Sequence, residues 1–232
     1  MLSPCTELVI DGFTRSAVTF ATIAFQLAQH RPVRVAHTLH SAGHVLAAVR
    51  REVPVLVTIR EPDEVVLSAA VREPHVSLGQ ALDAYARFYS RIMPHRQRLV
   101  IGEFSDVTRD FGRVIRELNT RFGTAFDEFR CTERNVSEVF SIIDDRARWP
   151  PWSKALGQFE CGIIGIHEYR REVAAFESKG GVPTLDIPER RVQRPSEQRV
   201  ALKEALRDEL RSAHLRARRD RARATYEAFL SG

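Results

Sequence analysis

The sequence predicts an α/β fold: a central parallel sheet flanked by helices in three layers, followed by a helical C-terminal segment. Three observations carry this expectation. Strand-like and helix-like segments alternate over the first 125 residues with short links, the pattern of a parallel sheet wound by right-handed crossovers. Val55–Ile59 is a five-residue run of apolar and β-branched character, the signature of a strand buried on both faces. The 232 residues suffice for one domain of this type with a sizeable core.

The elements follow in order. Residues 7–10 read as a short apolar strand, broken by Asp11-Gly12. An apolar helix spans about 17–30 and ends at Arg31-Pro32, because the residue before proline avoids α geometry. Residues 33–36 form a second strand, and 42–51 a helix with Val45, Leu46 and Val49 on one face. After the third strand, Pro62 opens a helix over 62–71, a position where proline is tolerated. Residues 77–91 are amphipathic, with Leu78, Leu82, Tyr85, Phe88 and Tyr89 on the apolar side. Residues 99–102 make a fourth strand, and Phe111, Val114, Ile115 and Leu118 stripe a helix that stops near Phe122-Gly123. Beyond it, 132–145 reads as helical. Residues 146–194 hold Trp149-Pro150-Pro151-Trp152, Gly180-Gly181, Pro183 and Pro188, which predict irregular covering structure or a lid, with a short helix over 166–176. Residues 196–230 read as one long helix or two, with Leu202, Leu206 and Leu210 four apart. There is no internal repeat.

Composition excludes several classes. Hydrophobic residues make up 44% and charged residues 28%, as in ordinary globular chains. The longest apolar run, 17–25, is interrupted by Thr19 and Thr22 and is too short to span a bilayer. No basic stretch followed by an apolar one opens the sequence, so no secretory signal is expected. Cys5, Cys131 and Cys161 are an odd set without paired spacing, which argues against a disulfide framework or a zinc site and for the cytoplasm. The net charge of +5 suits anionic ligands. Arginines are dense over 190–223, but aromatics are nearly absent there, unlike surfaces that bind single-stranded nucleic acid, so no nucleic-acid partner is expected. That stretch is a solvated helix face or, at its start, a ligand-facing cluster.

Two stretches carry chemistry. After strand 1, Gly12 and Thr19 stand in the register of the nucleotide-binding P-loop, in which glycine, four residues, Gly-Lys and Ser/Thr follow a strand. Backbone N–H groups of such a loop and the helix dipole behind it favour an anion. Ala17 replaces the second glycine and Val18 the lysine that reaches the outer phosphates of ATP or GTP, which disfavours a kinase or GTPase. Arg15 is the cation here, able to sit over one terminal phosphate. At the end of the third strand stands Arg60, with Ser68 eight residues on. An arginine fork at the carboxyl edge of a sheet and a nearby hydroxyl can grip a second phosphate.

Together these stretches resemble the sulfotransferase superfamily, in particular small-molecule sulfotransferases from bacteria. The family's phosphosulfate loop reads Pro-Lys-Ser-Gly-Thr-Thr-Trp, and the matching stretch here is Thr14-Arg15-Ser16-Ala17-Val18-Thr19-Phe20. Its 3′-phosphate site is a strand-end arginine with a serine eight residues on, matched by Arg60 and Ser68. The resemblance spans about residues 7–125. It implies a P-loop fold whose cofactor-binding core is 1–125, with 126–232 as lid and C-terminal helices. The implied co-substrate is 3′-phosphoadenosine 5′-phosphosulfate, with no metal, and the implied acceptor is a hydroxyl on a small molecule. Gly12, Thr14, Arg15, Ser16, Ala17, Val18 and Thr19 would cradle the 5′-phosphosulfate, and Arg60 and Ser68 the 3′-phosphate. The family's late basic stretch carries over to Arg194. Its base, a histidine at the end of the second strand, corresponds to His37, with His40 a close rival. Homo-oligomerisation is left open.

His37, His40 and His44 could share a helical face and hold a metal, but a strand-to-loop transition separates them. Ser16 does not sit in a Gly-x-Ser-x-Gly elbow, so hydrolase chemistry has little support. The alternative function is a non-catalytic nucleotide- or partner-binding protein on a degenerate site, motivated by Ala17 and Val18. Trp149, Trp152 and Phe159 suggest an apolar acceptor or serve as packing.

Overall fold

The computed structural model describes residues 2–148, 153–179 and 196–232. Four strands, β1 (Leu8–Gly12), β2 (Val35–His37), β3 (Val55–Ile59) and β4 (Val100–Glu103), form one parallel sheet in the order β2-β1-β3-β4. The chain leaves β1 towards β2 on one side and returns to β3 on the other, so a topological switch point lies between β1 and β3. Crevices at the carboxyl ends of strands in open α/β sheets form at such points.

The strands alternate between two cores, as their two-residue period requires. Leu8, Ile10, Leu56 and Val100 face one side, against α1 (Val18–Ala28), α6 (Phe111–Phe122), α7 (Glu133–Arg148) and α8 (Ser153–Glu160). Val9, Val55, Val57 and Ile59 face the other, against α2 (Ala42–Arg50), α3 (Pro62–Arg72), α4 (Leu78–Ile92) and α12 (Arg216–Ser231). The three layers follow from this division. Ser77 and Gln80 form a reciprocal capping box that starts α4. No helix among the described residues is long and apolar enough to cross a membrane.

Three local expectations are corrected, and one helix has no counterpart among them. β1 continues through Asp11-Gly12, which pair with Val57 and Thr58. The strand accommodates them because the Asp11 carboxylate finds donors and because only glycine fits at position 12, where a Cβ would collide with the carbonyl and hydroxyl of Thr58. A short helix, α5 (Phe104–Arg109), follows β4 directly. The covering segment gains a helix, α8, which buries Ala155, Leu156 and Phe159, while the helix expected over 166–176 is present as α9 (Ile166–Ser178). The tryptophans and glycines that suggested irregular structure lie outside the described residues. The C-terminal part is three α-helices, α10 (Glu197–Ala205), α11 (Arg207–Arg211) and α12, with a 3₁₀ turn (Ala213–Leu215) before the last. The breaks turn Leu210 and Leu215 into the core, while Leu202 of the expected leucine stripe stays exposed.

The arginines of α12 are a docking face. Arg219 and Arg223 clasp the Asp63 carboxylate of α3, at 2.7 and 2.5 Å, and Arg218 and Arg221 clasp Asp83 of α4, at 3.2 and 2.6 Å. Burial alone would raise the Asp63 carboxyl; the two guanidiniums outweigh it and hold the group below the ordinary range.

Candidate functional site

The loop between β1 and α1 is pinned from beneath. Ser16 is fully buried; its hydroxyl donates to the Phe13 carbonyl at 2.5 Å and meets the Thr58 hydroxyl at 2.9 Å. Tyr89 donates to the Thr58 carbonyl at 2.8 Å and accepts from the Phe13 N–H at 3.3 Å. Arg15 and Ala17 are left-handed, with φ of 67° and 74°. That geometry costs a non-glycine residue about 1–2 kcal/mol, so the pinning must over-determine it. Ala17 is also the N-cap of α1 and makes no side-chain cap hydrogen bond. The first-turn N–H groups of an 11-residue helix therefore face the crevice with the positive end of its dipole.

A cleft of about 550 Å³ opens above this loop, at the switch point. Its floor is the loops after β1, β2 and β3; α7, packed on α1, forms one wall and α10, packed on α3, the other. Six cationic side chains line it among the described residues (Arg15, Arg60, Arg72, Arg146, Arg199 and Lys203) against a single acid, Glu73. Arg15 Nε donates to Ser68 Oγ at 3.0 Å. Arg60 lies over the Phe104 ring, 4.0 Å from its centroid, and pairs with Glu64 at 3.3 Å. Glu64, behind the cleft, also takes Lys203 at 3.2 Å.

This crowding is visible in proton affinities. Burial, then the positive charges of Arg199, Arg72 and Arg60, push the Arg15 guanidinium down to about 10. Burial lowers Arg60, and burial with Arg60 lowers Lys203. Cations removed from water beside like charges are costly unless an anion joins them. Phe20, Phe140 and Ile143 add apolar surface to the lining, with the two rings 5.7 Å apart.

The two candidate bases part company. His37 ends β2 but does not line the cleft. Its Nδ1 meets Thr38 Oγ1 at 2.5 Å and its Nε2 lies 3.6 Å from Cys161 Sγ. Burial, then the Arg146 charge, lowers its imidazole to about 4. His40 lines the cleft. Its backbone N–H donates to Asp11 Oδ1 at 3.0 Å, and its ring Nδ1 lies 2.8 Å from the Gly12 carbonyl oxygen. A carbonyl only accepts, so Nδ1 carries a proton, and in the neutral ring Nε2 then holds the lone pair. His44 instead points inward, with Nδ1 2.7 Å from Asp11 Oδ2.

Of the residues expected at a phosphate site, Thr14, Arg15, Ala17, Val18, Thr19, Arg60 and Ser68 line this one cleft. Gly12 and Ser16 sit behind it: Gly12 N–H is taken by Asp11 at 2.9 Å, and Ser16 is engaged as described. Arg194, Trp149 and Trp152 lie outside the described residues. Phe159 is packing, buried and stacked on Tyr169 at 5.4 Å. Sequence reasoning missed Arg72, Arg146, Arg199 and Lys203. A helical signal was present for three of them: Arg72 follows Ser68 by one turn, and Arg199 and Lys203 are one turn apart.

No family model and no curated protein matches this chain. Fold and site together define an α/β protein with a polycationic crevice at the switch point of a four-stranded parallel sheet.

Proposed function

We propose that the protein is a P-loop-type sulfotransferase, moving a sulfuryl group from 3′-phosphoadenosine 5′-phosphosulfate to a hydroxyl of a small molecule. One observation carries the reading: Arg15 and Ser68, 53 residues apart in sequence and belonging to different expected phosphate half-sites, meet at 3.0 Å in one cleft. This contact supports reading the two half-sites as one polyanion site, of the kind a nucleotide with phosphates at both 3′ and 5′ positions would use.

In this reading Arg15 and the open N–H groups of α1 take the charge that grows on the leaving phosphate, and Arg60, Ser68, Arg72, Arg199 and Lys203 hold the 3′-phosphate. Preorganised donors of this kind contribute most when aimed where charge develops. His40, with Nδ1 committed to the Gly12 carbonyl, offers Nε2 as the base. The acceptor oxygen bonds to sulfur as the S–O bond to the phosphate breaks. The acceptor's proton passes to Nε2, and the electron pair leaves with the 3′,5′-bisphosphate. The apolar surface of Phe20, Phe140 and Ile143 would receive the body of the acceptor.

The second reading is a nucleotide-binding protein without turnover. It is favoured by Val18, a buried apolar side chain where the resembled loop carries a threonine hydroxyl. Calorimetric titration with 3′-phosphoadenosine 5′-phosphate, followed by a screen of alcohols and phenols for sulfuryl transfer, separates the two. Binding with transfer supports the sulfotransferase, binding without transfer to any acceptor supports the second reading, and absence of binding refutes both.

A further inference from the structure

Asp11 is a fully buried carboxylate that the proposed chemistry does not use. It lies one residue from the end of β1, and its two oxygens divide their partners. Oδ1 accepts from Gly12 N at 2.9 Å and from His40 N at 3.0 Å, and lies 3.8 Å from His40 Nδ1. Oδ2 takes His44 Nδ1, from the first turn of α2, at 2.7 Å. Burying a carboxylate is unfavourable unless its partners are well placed, so its presence at a strand end calls for a reason.

The loop it holds supplies one. Thr38 and His40 are left-handed, with φ of 58° and 48°; histidine tolerates this region better than most residues, but a β-branched threonine adopts it only where its surroundings impose it. Both constraints on His40 come from the Asp11-Gly12 dipeptide: the carboxylate takes its backbone N–H and the next carbonyl takes its ring. His44 fixes the plane of the carboxylate from the other side, so that Oδ1 faces the loop.

We propose that Asp11 is a positioning residue for His40, with His44 steadying Asp11, and that this chain of contacts sets the tautomer and aim of the His40 ring in the cleft. The proposal deepens the sulfotransferase reading and rests on it for its kinetic part, but not for its structural part.

The test combines two measurements on the full chain. Nitrogen-15 NMR of the histidine rings reports the His40 tautomer without any activity. The wild-type protein is expected to show the Nδ1–H form, opposite to the Nε2–H preference of solvent-exposed histidine side chains, and Asp11→Asn and His44→Gln are each expected to mix the tautomers. In kinetics with an alkyl alcohol, Asp11→Asn is expected to lose about 10- to 100-fold in kcat, less than the roughly 10²–10⁴ for removing a general base, because the base itself remains. Its affinity for 3′-phosphoadenosine 5′-phosphate should change less than 3-fold, and in a His40→Ala background it should lose nothing further. A wild-type Nε2–H form overturns the proposal. So does a His40 signal that both variants leave unchanged, or an Asp11→Asn loss that persists in full without His40. If no acceptor is turned over, the sulfotransferase reading fails and the NMR result alone decides the positioning claim.

Discussion

Replacing Arg15 by alanine should make the ligand-free protein more stable while weakening its ligand. Burial and the neighbouring arginines bring the Arg15 guanidinium from 12.5 down to about 10. At pH 7, well below both values, the charge is present in the folded and unfolded states, so the whole penalty falls on the folded state. At about 1.36 kcal/mol per pH unit, the fall corresponds to about 3 kcal/mol. Losing the hydrogen bond to Ser68 returns about 0.5–1.5 kcal/mol of that, and solvent at the cleft mouth screens some of the remainder. The expected net gain is about 1–2 kcal/mol, or a rise in Tm of about 2–8 °C for a chain of this size. The same variant should bind 3′-phosphoadenosine 5′-phosphate about 10- to 150-fold more weakly, the worth of one charge-assisted contact set of about 1.5–3 kcal/mol. Differential scanning fluorimetry without ligand and calorimetry with it read the two effects. A variant that is destabilised and binds with wild-type affinity would show that Arg15 is a structural strut for Ser68 and no part of an anion site.

Three further outcomes are expected. With an alkyl alcohol acceptor, His40→Ala should lose about 10²–10⁴ in kcat, whereas His37→Ala should lose less than 10-fold; the reverse order would return the base to the end of β2. Ala17→Gly relieves a left-handed alanine at a cost to the unfolded chain of about 0.4–1 kcal/mol, so a net gain of up to about 1 kcal/mol in urea unfolding is expected, and a loss would show that the loop is not strained there. His37, lowered to about 4, binds its proton more tightly in the unfolded chain, so its contribution is complete above about pH 6.5 and is lost as pH falls towards 4. Wild-type protein should lose about 2 kcal/mol from this source between pH 7 and 5, a slope that His37→Gln should abolish.

The core was legible because period and burial coincide in it. Val55–Ile59 is buried on both faces, and the stripe Phe111, Val114, Ile115 and Leu118 is buried as its helical spacing implies. Asp11-Gly12 was misread because a turn dipeptide and a strand end look alike until the donors around Asp11 and the close approach of Thr58 are known. Arg15, Arg60 and Ser68 were readable from spacing. That they share one cleft depends on parallel order β1-β3, which local sequence does not encode. Choosing between His37 and His40 was beyond periodicity, since β2 runs to His37 and a left-handed loop, held by a residue on another strand, carries His40 into the cleft. The arginines of α12 looked like a solvated face because their partners, Asp63 and Asp83, lie well over a hundred residues away.

The central claim is that the cleft holds a nucleotide by two phosphates at once. Parallel calorimetric titrations with 3′-phosphoadenosine 5′-phosphate and with 5′-AMP at one salt concentration test it most directly. The bisphosphate is expected to bind about 10- to 150-fold more tightly, matching one additional set of charge-assisted contacts from Arg60 and its neighbours. Equal affinities, or no binding of either, would contradict it.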